Sequence, residues 1–220
     1  MGERELKKPH FVFIHGVGGG SWCWYKVKCL MVNSGYTVTC LDLRGAGIDP
    51  SDPNKILWFD DYNKPLIDFL TSLPDHEQVI LVGHSAGGLS VTDAIHKFSK
   101  KISLAVYIAA TMLKNGFLTQ QDFKDDFTLA TMLLRPAPVY ALQSAMFKDI
   151  DEGAKNVPRV YIKTMYDRIV KPEQQDKMIA KWPPSNVYVI ESDHSPNFSN
   201  PFVLCGILVE AYLSICHSSA

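Results

Sequence analysis

The sequence predicts a single α/β domain with a mainly parallel sheet flanked by helices. Short apolar runs alternate with longer amphipathic runs along most of the 220 residues, and such alternation is typical of parallel sheets. Several predicted strands are continuously apolar, as expected for strands that are buried on both faces. An apolar fraction of 46% with 20% charged residues is sufficient for the core of one domain spanning residues 1–220.

The first half of the chain contains three predicted strands, each followed by a helix. Apolar and β-branched runs predict the strands, and apolar residues at helical spacing predict the helices. Gly35 follows the first helix and Pro74 follows the second, where each residue favours a stop. In chain order these elements are strand 11–14, helix 25–33, strand 36–43, helix 59–73, strand 78–82 and helix 87–99.

The second half continues the alternation after an interruption. Residues 112–158 are rich in Met, Leu, Phe and charged residues, with Pro136 and Pro138 among them. We expect these residues to form an insertion over the carboxyl edge of the sheet, where open α/β folds bind ligands. The regular elements of this half are strand 102–110, strand 159–164, helix 172–181, strand 186–191 and helix 201–215.

Charge and composition argue against several classes of protein. The net charge of −1 provides no basic surface for nucleic acid or acidic membranes. No apolar run is long enough to span a bilayer, and MGERELKKPH lacks the apolar stretch of a secretory signal. Five cysteines without a CxxC pair indicate a reduced, cytoplasmic compartment. Because no His/Cys cluster has metal-ligand spacing, we expect no metal site.

The stretch VILVGHSAGGLS, residues 79–90, places a GxSxG motif between a predicted strand and a predicted helix. It has two interpretations: a tight glycine turn in which Ser85 is filler, or a nucleophile elbow that exposes the serine hydroxyl. The small neighbouring residues favour the elbow, because bulk beside a strained turn would clash. We therefore predict that Ser85 is a nucleophile.

A nucleophilic serine needs a base, and in the elbow architecture a histidine follows the acid in the chain. Three histidines follow Ser85. His96 lies inside the next helix and is expected at the surface, and His217 lies in the polar tail. His194 lies in ESDHSPNF, a loop at the carboxyl edge. We predict His194 as the base; a loop histidine with a purely structural role is the alternative.

The histidine in turn needs a carboxylate that fixes its tautomer and stabilises the imidazolium. Asp167 lies in TMYDRIVKP, just past the predicted strand 159–164 and again at the carboxyl edge. Asp193 adjoins His194, but neighbouring side chains in an extended loop diverge. Asp176 lies in the following helix and should face solvent. We predict Asp167 as the acid.

Backbone amides must also stabilise the negative oxygen that develops during ester cleavage. The residue after the nucleophile supplies one donor, here Ala86, and the loop after the first strand supplies the second. That loop reads HGVGGG, and we choose Val17 as its donor. Gly16 and Gly18 allow the backbone to approach the substrate, so we assign both to the pocket. Without a following GK[ST], a phosphate-binding loop is poorly supported.

Several stretches of the chain resemble one known family: PHFVFIHGVGGGSWCWYKVKCL, VTCLDLRGAGID, FDDYNKPLIDFL, QVILVGHSAGGLS, RVYIKTMYDRIVKPEQQ and ESDHSPNFSNP. The chain resembles the plant methylesterases of the α/β-hydrolase superfamily, relatives of the salicylate-binding esterase and the hydroxynitrile lyases. LLRPAP, KPEQQDKMI and WPPS resemble the branch that hydrolyses methyl indole-3-acetate. The resemblance implies an α/β-hydrolase fold and a cofactor-free, cytoplasmic protein that is able to form a homodimer. It places the family's triad on Ser85, Asp167 and His194, and its oxyanion donors on Val17 and Ala86.

The sequence departs from the family's pattern in two places. The insertion at 112–158, the cap of this family, is shorter than usual, with a seam near residues 124–127. Cap residues close the pocket and exclude water, so a short cap predicts a more open pocket and exposed apolar surface. Ser195 and Pro196 follow His194, where related esterases often differ.

Three functions compete at this point. The first is hydrolysis of a small methyl ester, with an apolar or aromatic acyl group suggested by the apolar cap residues Met112, Leu113, Met132 and Leu133. The second is cyanohydrin cleavage. The resemblance to the hydroxynitrile lyases implies, for that reaction, a lysine shortly after the catalytic histidine and a threonine in the first loop. Here Ser195-Pro196 and Gly16 stand instead. The third is a ligand-binding or inactive form of the family, favoured by the short cap.

Overall fold

The computed structural model describes residues 8–117, 136, 138–148, 150 and 152–216. Six strands form one sheet in the order β2-β1-β3-β4-β7-β8, and every neighbouring pair is parallel. Two further short strands, β5 and β6, pair antiparallel with each other. The strands are β1 (His10–Ile14), β2 (Thr37–Leu41), β3 (Val79–His84), β4 (Ile102–Ile108), β5 (Gly116–Phe117), β6 (Met146–Phe147), β7 (Arg159–Thr164) and β8 (Asn186–Ile190).

Helices connect the strands and cover the sheet. Within the described ranges, no helix is both long and apolar enough to cross a membrane. The helices are α1 (Tyr25–Asn33), α2 (Phe59–Ser72), α3 (Gly87–Phe98), α4 (Val139–Gln143), α5 (Glu152–Lys155), α6 (Pro172–Lys181), α7 (Pro196–Ser199) and α8 (Pro201–Cys216), with 3₁₀ turns at Ser21–Trp24, Pro53–Lys55 and Ser99–Lys101.

The sheet has an apolar core on each face because buried apolar side chains project from both faces of its central strands. Successive side chains of a strand point to opposite faces. In β1, Val12 therefore belongs to one buried cluster, together with Leu66 of α2 and Ile95 of α3. Phe13 belongs to the other cluster, which contains residues of α1 and α8, among them Leu208. The predicted parallel sheet flanked by helices is confirmed.

The strand order creates a crevice at the carboxyl edge between β1 and β3. From β1 the chain passes to β2 on one side, whereas β3 and all later strands of the sheet lie on the other side. The loops that follow two adjacent strands thereby diverge, and ligands of open α/β sheets bind at such a point. The loop after β1 and the turn after β3, with Ser85, meet here.

The insertion at 112–158 contains β5, β6, α4 and α5 among its described residues. It packs on the start of α2: the Phe59 amide donates to Ser144 Oγ at 2.8 Å, and the rings of Phe59 and Phe147 meet edge-on. His96 of α3 stacks on Phe147 at 5.8 Å and is half-buried, so its expected surface position was wrong. The seam at 124–127, Met132 and Leu133 lie outside the described residues.

Most element boundaries lie within one or two residues of the prediction. Strand β3 continues to His84, two residues beyond the predicted end, because Gly83 and His84 pair with Tyr107 and Ile108 of β4. The sheet therefore extends to the residue that precedes Ser85. Helices α4, α5 and α7 and strands β5 and β6 were not predicted, since two to five residues are too few to show a hydrophobic period.

The close approach of α3 to the chain after β4 depends on Gly88, and this is testable. A Cβ at Gly88 would overlap the carbonyl oxygen of Thr111. We expect Gly88→Ala to lower the free energy of unfolding by about 1–3 kcal/mol, the usual cost of overpacking. The matched control is Gly206→Ala in α8, where a Cβ meets nothing within 4 Å. Alanine is the better helix former, so this control should gain up to about 1 kcal/mol.

Urea unfolding of the two variants and the wild type measures the difference. Equal stability of Gly88→Ala and Gly206→Ala would contradict the close packing of α3 at this point.

Candidate active site

Ser85 occupies a strained turn between β3 and α3. Its φ is 54°, in the left-handed region that costs a non-glycine residue about 1–3 kcal/mol. Three backbone hydrogen bonds hold the turn: the Ser85 amide donates to Ile108 O at 3.2 Å, and the Ser85 carbonyl accepts from Gly88 N at 3.1 Å and Thr111 N at 3.0 Å. Ser85 is half-buried, so it is partly accessible at the carboxyl edge of the sheet.

The two glycines of the GxSxG motif allow the helix to pack against the sheet. A Cβ at Gly83 would lie 2.6 Å from Val91 Cγ2 and 2.8 Å from Gly87 O. A Cβ at Gly87 would lie 2.6 Å from His15 O and 2.9 Å from Ile14 O. Because real Cβ contacts are longer than this, glycine is required at both positions. The motif therefore has a steric reason, whichever chemistry Ser85 performs.

The loop after β1 lies directly against Ser85. A Cβ at Gly16 would lie 2.9 Å from Ser85 Cβ, so the Gly16 backbone contacts the serine. Gly18 has a φ of 67°, a left-handed conformation that glycine adopts at little cost. The turn closes through a hydrogen bond from Gly19 N to Gly16 O at 3.2 Å.

His15 fixes the orientation of the Gly16–Val17 peptide. Its Nε2 accepts a hydrogen bond from Leu43 N at 3.1 Å, so the proton of the neutral ring lies on Nδ1, which donates to Gly16 O at 2.8 Å. Burial lowers the pKa of His15, which keeps the ring neutral. Because a trans peptide points its C=O and N–H in opposite directions, the Val17 N–H points away from His15.

The Ser85–Ala86 peptide is fixed in the same way, since the Ser85 carbonyl accepts two hydrogen bonds. The Ala86 N–H consequently points away from those donors. Neither Val17 N nor Ala86 N donates to a residue that the structure describes. Two oriented amides beside a half-buried serine are the donors that an oxyanion site requires.

His194 and Asp167 form a hydrogen-bonded pair at the same edge of the sheet. His194 Nδ1 donates to Asp167 Oδ2 at 2.8 Å, and the Asp167 side chain is fully buried. The second oxygen, Oδ1, accepts from the amides of Ile169 and Val170 at 2.8 and 2.9 Å. Burial by itself would raise the pKa of Asp167. The hydrogen bonds, led by that from His194, hold the pKa below its ordinary value, so the carboxylate is ionised at neutral pH.

Thr164 and Gln175 hold the carboxylate in place. Thr164 Oγ1 donates to Asp167 Oδ2 at 2.9 Å. Gln175 of α6 is fully buried, and its Nε2 lies 3.4 Å from the same oxygen while also donating to Val170 O at 2.6 Å. Its Oε1 accepts from Thr164 N at 3.1 Å. Asp167 therefore has partners around both oxygens.

The competing acids are engaged elsewhere. Asp193 is exposed and turns toward α7, where Oδ1 accepts from Ser195 N at 3.0 Å and Ser199 Oγ at 2.9 Å. Asp176 is exposed and pairs with Lys163 at 2.6 Å. The alternative base His217 lies outside the described residues.

His84 connects the elbow to the loop of His194. Its Nε2 lies 2.7 Å from the carbonyl oxygen of His194, and the two rings are 4.7 Å apart between centroids. His194 therefore lies beside the residue that precedes Ser85. The structure thus brings together Ser85, Asp167 and His194, with Val17 and Ala86 nearby. Of the residues predicted for the pocket, Gly16 lies against Ser85, Gly18 forms the turn, and Met112 is buried in the apolar core.

Sequence reasoning missed the polar residues that support these groups. Gln175 could have been recognised in the sequence. Met178, Ile179 and Trp182 follow it by three, four and seven residues, which is helical spacing, and all three pack on one apolar core. A polar residue at an apolar-face position is informative. For His15 and His84, the sequence offered only one indication, which is their position at the ends of β1 and β3. In the residues described, no group of three or more His, Cys, Asp or Glu could hold a metal.

The parallel six-stranded sheet, with a strained serine turn between strand and helix, is the α/β-hydrolase fold. A model of the alpha/beta hydrolase family matches residues 11–205. Methylesterase 17 of Arabidopsis thaliana is 50% identical over 257 aligned positions, covering 95% of this chain and 93% of that protein. Pheophorbidase of Raphanus sativus is 41% identical, covering 92% of this chain and 93% of that protein.

A crystal structure of the methylesterase MES16 from Arabidopsis superposes with a TM-score of 0.83 at 42% identity, covering 92% of this chain and 98% of that chain. The chain belongs to the plant methylesterase family. It is an esterase, and the resemblance seen in the sequence is confirmed.

The assignment of the acid is tested by a matched pair of substitutions. Asp167→Asn removes the charge that orients His194 and favours the wrong tautomer. We expect it to lower kcat for methyl ester hydrolysis about 10²- to 10⁴-fold, the upper value being that of the serine-protease example. Asp193→Asn keeps an oxygen acceptor for α7 and should retain most activity.

Steady-state release of acid by both variants, each shown to be folded by circular dichroism, makes the comparison. A larger loss in Asp193→Asn than in Asp167→Asn would overturn the assignment.

Proposed function

We propose that this esterase hydrolyses methyl esters of small apolar or aromatic acids of the plant-hormone type through an acyl-enzyme. In this mechanism Ser85 is the nucleophile, His194 the base and Asp167 the orienting acid. The observation that carries the proposal is the hydrogen-bonded His194–Asp167 pair, 2.8 Å long, held beside the strained turn of Ser85. Strain at a non-glycine residue is concentrated at functional sites.

The first half-reaction forms the acyl-enzyme. Ser85 Oγ attacks the ester carbonyl carbon while its proton passes to His194 Nε2, the nitrogen not bonded to Asp167. The carbonyl oxygen becomes an oxyanion, which accepts hydrogen bonds from Val17 N and Ala86 N. The C–O bond to the methoxy group then breaks, and the His194 proton goes to that oxygen, releasing methanol.

The second half-reaction clears the acyl group. Water attacks the acyl carbon while His194 takes one of its protons, and a second oxyanion forms between the same amides. When the bond to Ser85 Oγ breaks, the proton returns to the serine and the free acid leaves. His194 transfers each proton between serine, methanol and water, and the backbone amides stabilise each oxyanion, so we propose that the reaction uses no cofactor and no metal.

The acyl group that we favour is indole-3-acetate. The stretches LLRPAP, KPEQQDKMI and WPPS resemble the branch that acts on its methyl ester. The half-buried Leu113 supports an apolar wall for the pocket, and the turn of Gly16 and Gly18 beside Ser85 supports a close backbone approach. A relative that is 50% identical is named as a methylesterase. That name supports hydrolysis of a methyl ester, but it does not indicate which acyl group the ester contains.

We further propose that residues 112–158 form a shortened cap on a single domain of residues 1–220. The alignment with Methylesterase 17 spans 257 positions, more than the 220 residues of this chain. That relative therefore contains residues that this chain lacks. This observation also favours a second candidate function, a ligand-binding or inactive form whose pocket does not close. Cyanohydrin cleavage has no such support.

We propose that the protein works in the cytoplasm and can form a homodimer. Cys23, Cys29, Cys40 and Cys205 are free thiols, which suits a reducing compartment. A dimer would cover the apolar side chains that α8 exposes: Phe202, Val203 and Leu213. Sedimentation velocity should show a species of twice the monomer mass, and a monomer at high concentration would contradict the dimer.

The decisive test compares esters and one substitution. The purified chain is incubated with methyl indole-3-acetate, methyl salicylate and methyl jasmonate, and the released acids are quantified. We expect release to be fastest from methyl indole-3-acetate. Ser85→Ala should lower the rate by on the order of 10⁶, as loss of a triad serine does in subtilisin.

Ser90→Ala is the matched control, because the Ser90 hydroxyl is buried in α3 without a hydrogen-bond partner among the described residues. It should keep the wild-type rate. Release of acid that persists in Ser85→Ala would refute the assignment of Ser85 as the nucleophile. A folded protein that shifts its Tm with a ligand but releases no acid would favour the binding form.

A further inference from the structure

The elbow contains His84, a histidine that has no role in the proposed reaction. His84 is the last residue of β3 and is 9% exposed. Its Nε2 lies 2.7 Å from the backbone oxygen of His194, a residue 110 positions later in the chain. A carbonyl oxygen only accepts, so Nε2 must carry the ring proton and donate it.

This hydrogen bond attaches the loop after β8 at His194 itself. His194 follows β8, which is an edge strand with exposed side chains. Other polar contacts attach the loop on either side of His194. Before it, Tyr166 N donates to Ser192 O at 2.9 Å; after it, Asn197 Nδ2 donates to Cys23 O at 2.9 Å and Lys26 Nζ donates to Phe198 O at 3.0 Å. Within the described chain, the bond from His84 is the one seen to the backbone of His194.

The remaining surroundings of His84 argue against a direct part in proton transfer. A Cβ at Gly16 would lie 3.3 Å from His84 Nδ1, so the free nitrogen faces the backbone of the first loop. Trp24 meets the ring at right angles, with centroids 6.2 Å apart. Burial and the neighbouring His194 lower the pKa of His84 to about 3. The ring thus stays neutral beside His194, where a second cation would oppose protonation of the base.

We propose that His84 is a positioning residue that fixes the base loop to the nucleophile elbow through its hydrogen bond to the His194 carbonyl. The proposal rests on the proposed function, because it takes His194 to be the base for Ser85. Ser85 and His194 lie 109 positions apart in the chain, and they must keep sub-ångström registry for proton transfer. His84 provides that registry from the residue adjacent to Ser85.

Two amide side chains test the hydrogen bond itself. In His84→Gln the amide nitrogen reaches the position of Nε2, whereas in His84→Asn it reaches only that of Nδ1. We expect His84→Asn to lower kcat about 10- to 100-fold with little change in KM, because misplacement of about 1 Å carries such a cost. His84→Gln should recover most of that loss. His76→Asn, at an exposed loop histidine, is the matched control and should behave as wild type.

A spectroscopic readout separates this proposal from the proposed function. The Nδ1 proton shared by His194 and Asp167 gives a low-field proton NMR resonance that needs no substrate, and Asp167→Asn identifies it by its loss. We expect the resonance to broaden in His84→Asn and to persist in His84→Gln. If wild type hydrolyses no ester, the proposed function fails, yet this resonance still decides the role of His84.

The proposal is overturned if folded His84→Asn keeps both the wild-type kcat and the wild-type resonance. It is also overturned if His84→Gln is as impaired as His84→Asn in both readouts. Should His84→Asn fail to fold, His84→Leu, which fills the space without a donor, replaces it in the same comparison.

Discussion

The left-handed backbone of Ser85 is the constraint on which the rest of the site depends. A serine at φ 54° is held there by the surrounding structure, since the conformation costs about 1–3 kcal/mol by itself. The buried sheet provides the opposing stability through apolar strands packed on both faces. Hydrogen bonds from Gly88 and Thr111 to the Ser85 carbonyl then prevent the turn from relaxing. The same two bonds orient the Ala86 amide, so the strain at Ser85 and the direction of the proposed oxyanion donor have a common cause.

Three imidazoles meet at this edge of the sheet, and their hydrogen-bond partners give each a different task. His15 donates to Gly16 O and accepts from Leu43 N, and His84 donates to a carbonyl. Both are buried, and burial lowers the pKa of each. Only His194 faces a carboxylate. The ionised Asp167 beside His194 is the arrangement that the proposed role of His194 as the base requires, because a carboxylate stabilises an imidazolium.

The sequence predicted the parallel sheet, and it predicted the loops from which Ser85, Asp167 and His194 come, because these depend on local patterns. Apolar periodicity predicted the central strands, and the carboxyl ends of parallel strands share one edge. The roles of those three residues stay predictions. The positions of His84 and Gln175 could not be predicted, since each acts through a partner brought close only by the fold. The buried face of His96 was misjudged for the same reason: Phe147, which covers it, lies in the irregular insertion.

The proposed reacting groups of this esterase and its proposed cap lie in different parts of the chain. Ser85, Asp167, His194 and the two amides lie on loops after β1, β3, β7 and β8, and their spacing is fixed by strands about 4.8 Å apart. The described residues of the insertion pack on α2 and α3 through contacts such as Ser144 with Phe59. On the proposed role of residues 112–158 as a cap, a change in the insertion alters what covers the proposed pocket. We expect it to act on KM and on the choice of acyl group before it disturbs the spacing of Ser85, Asp167 and His194.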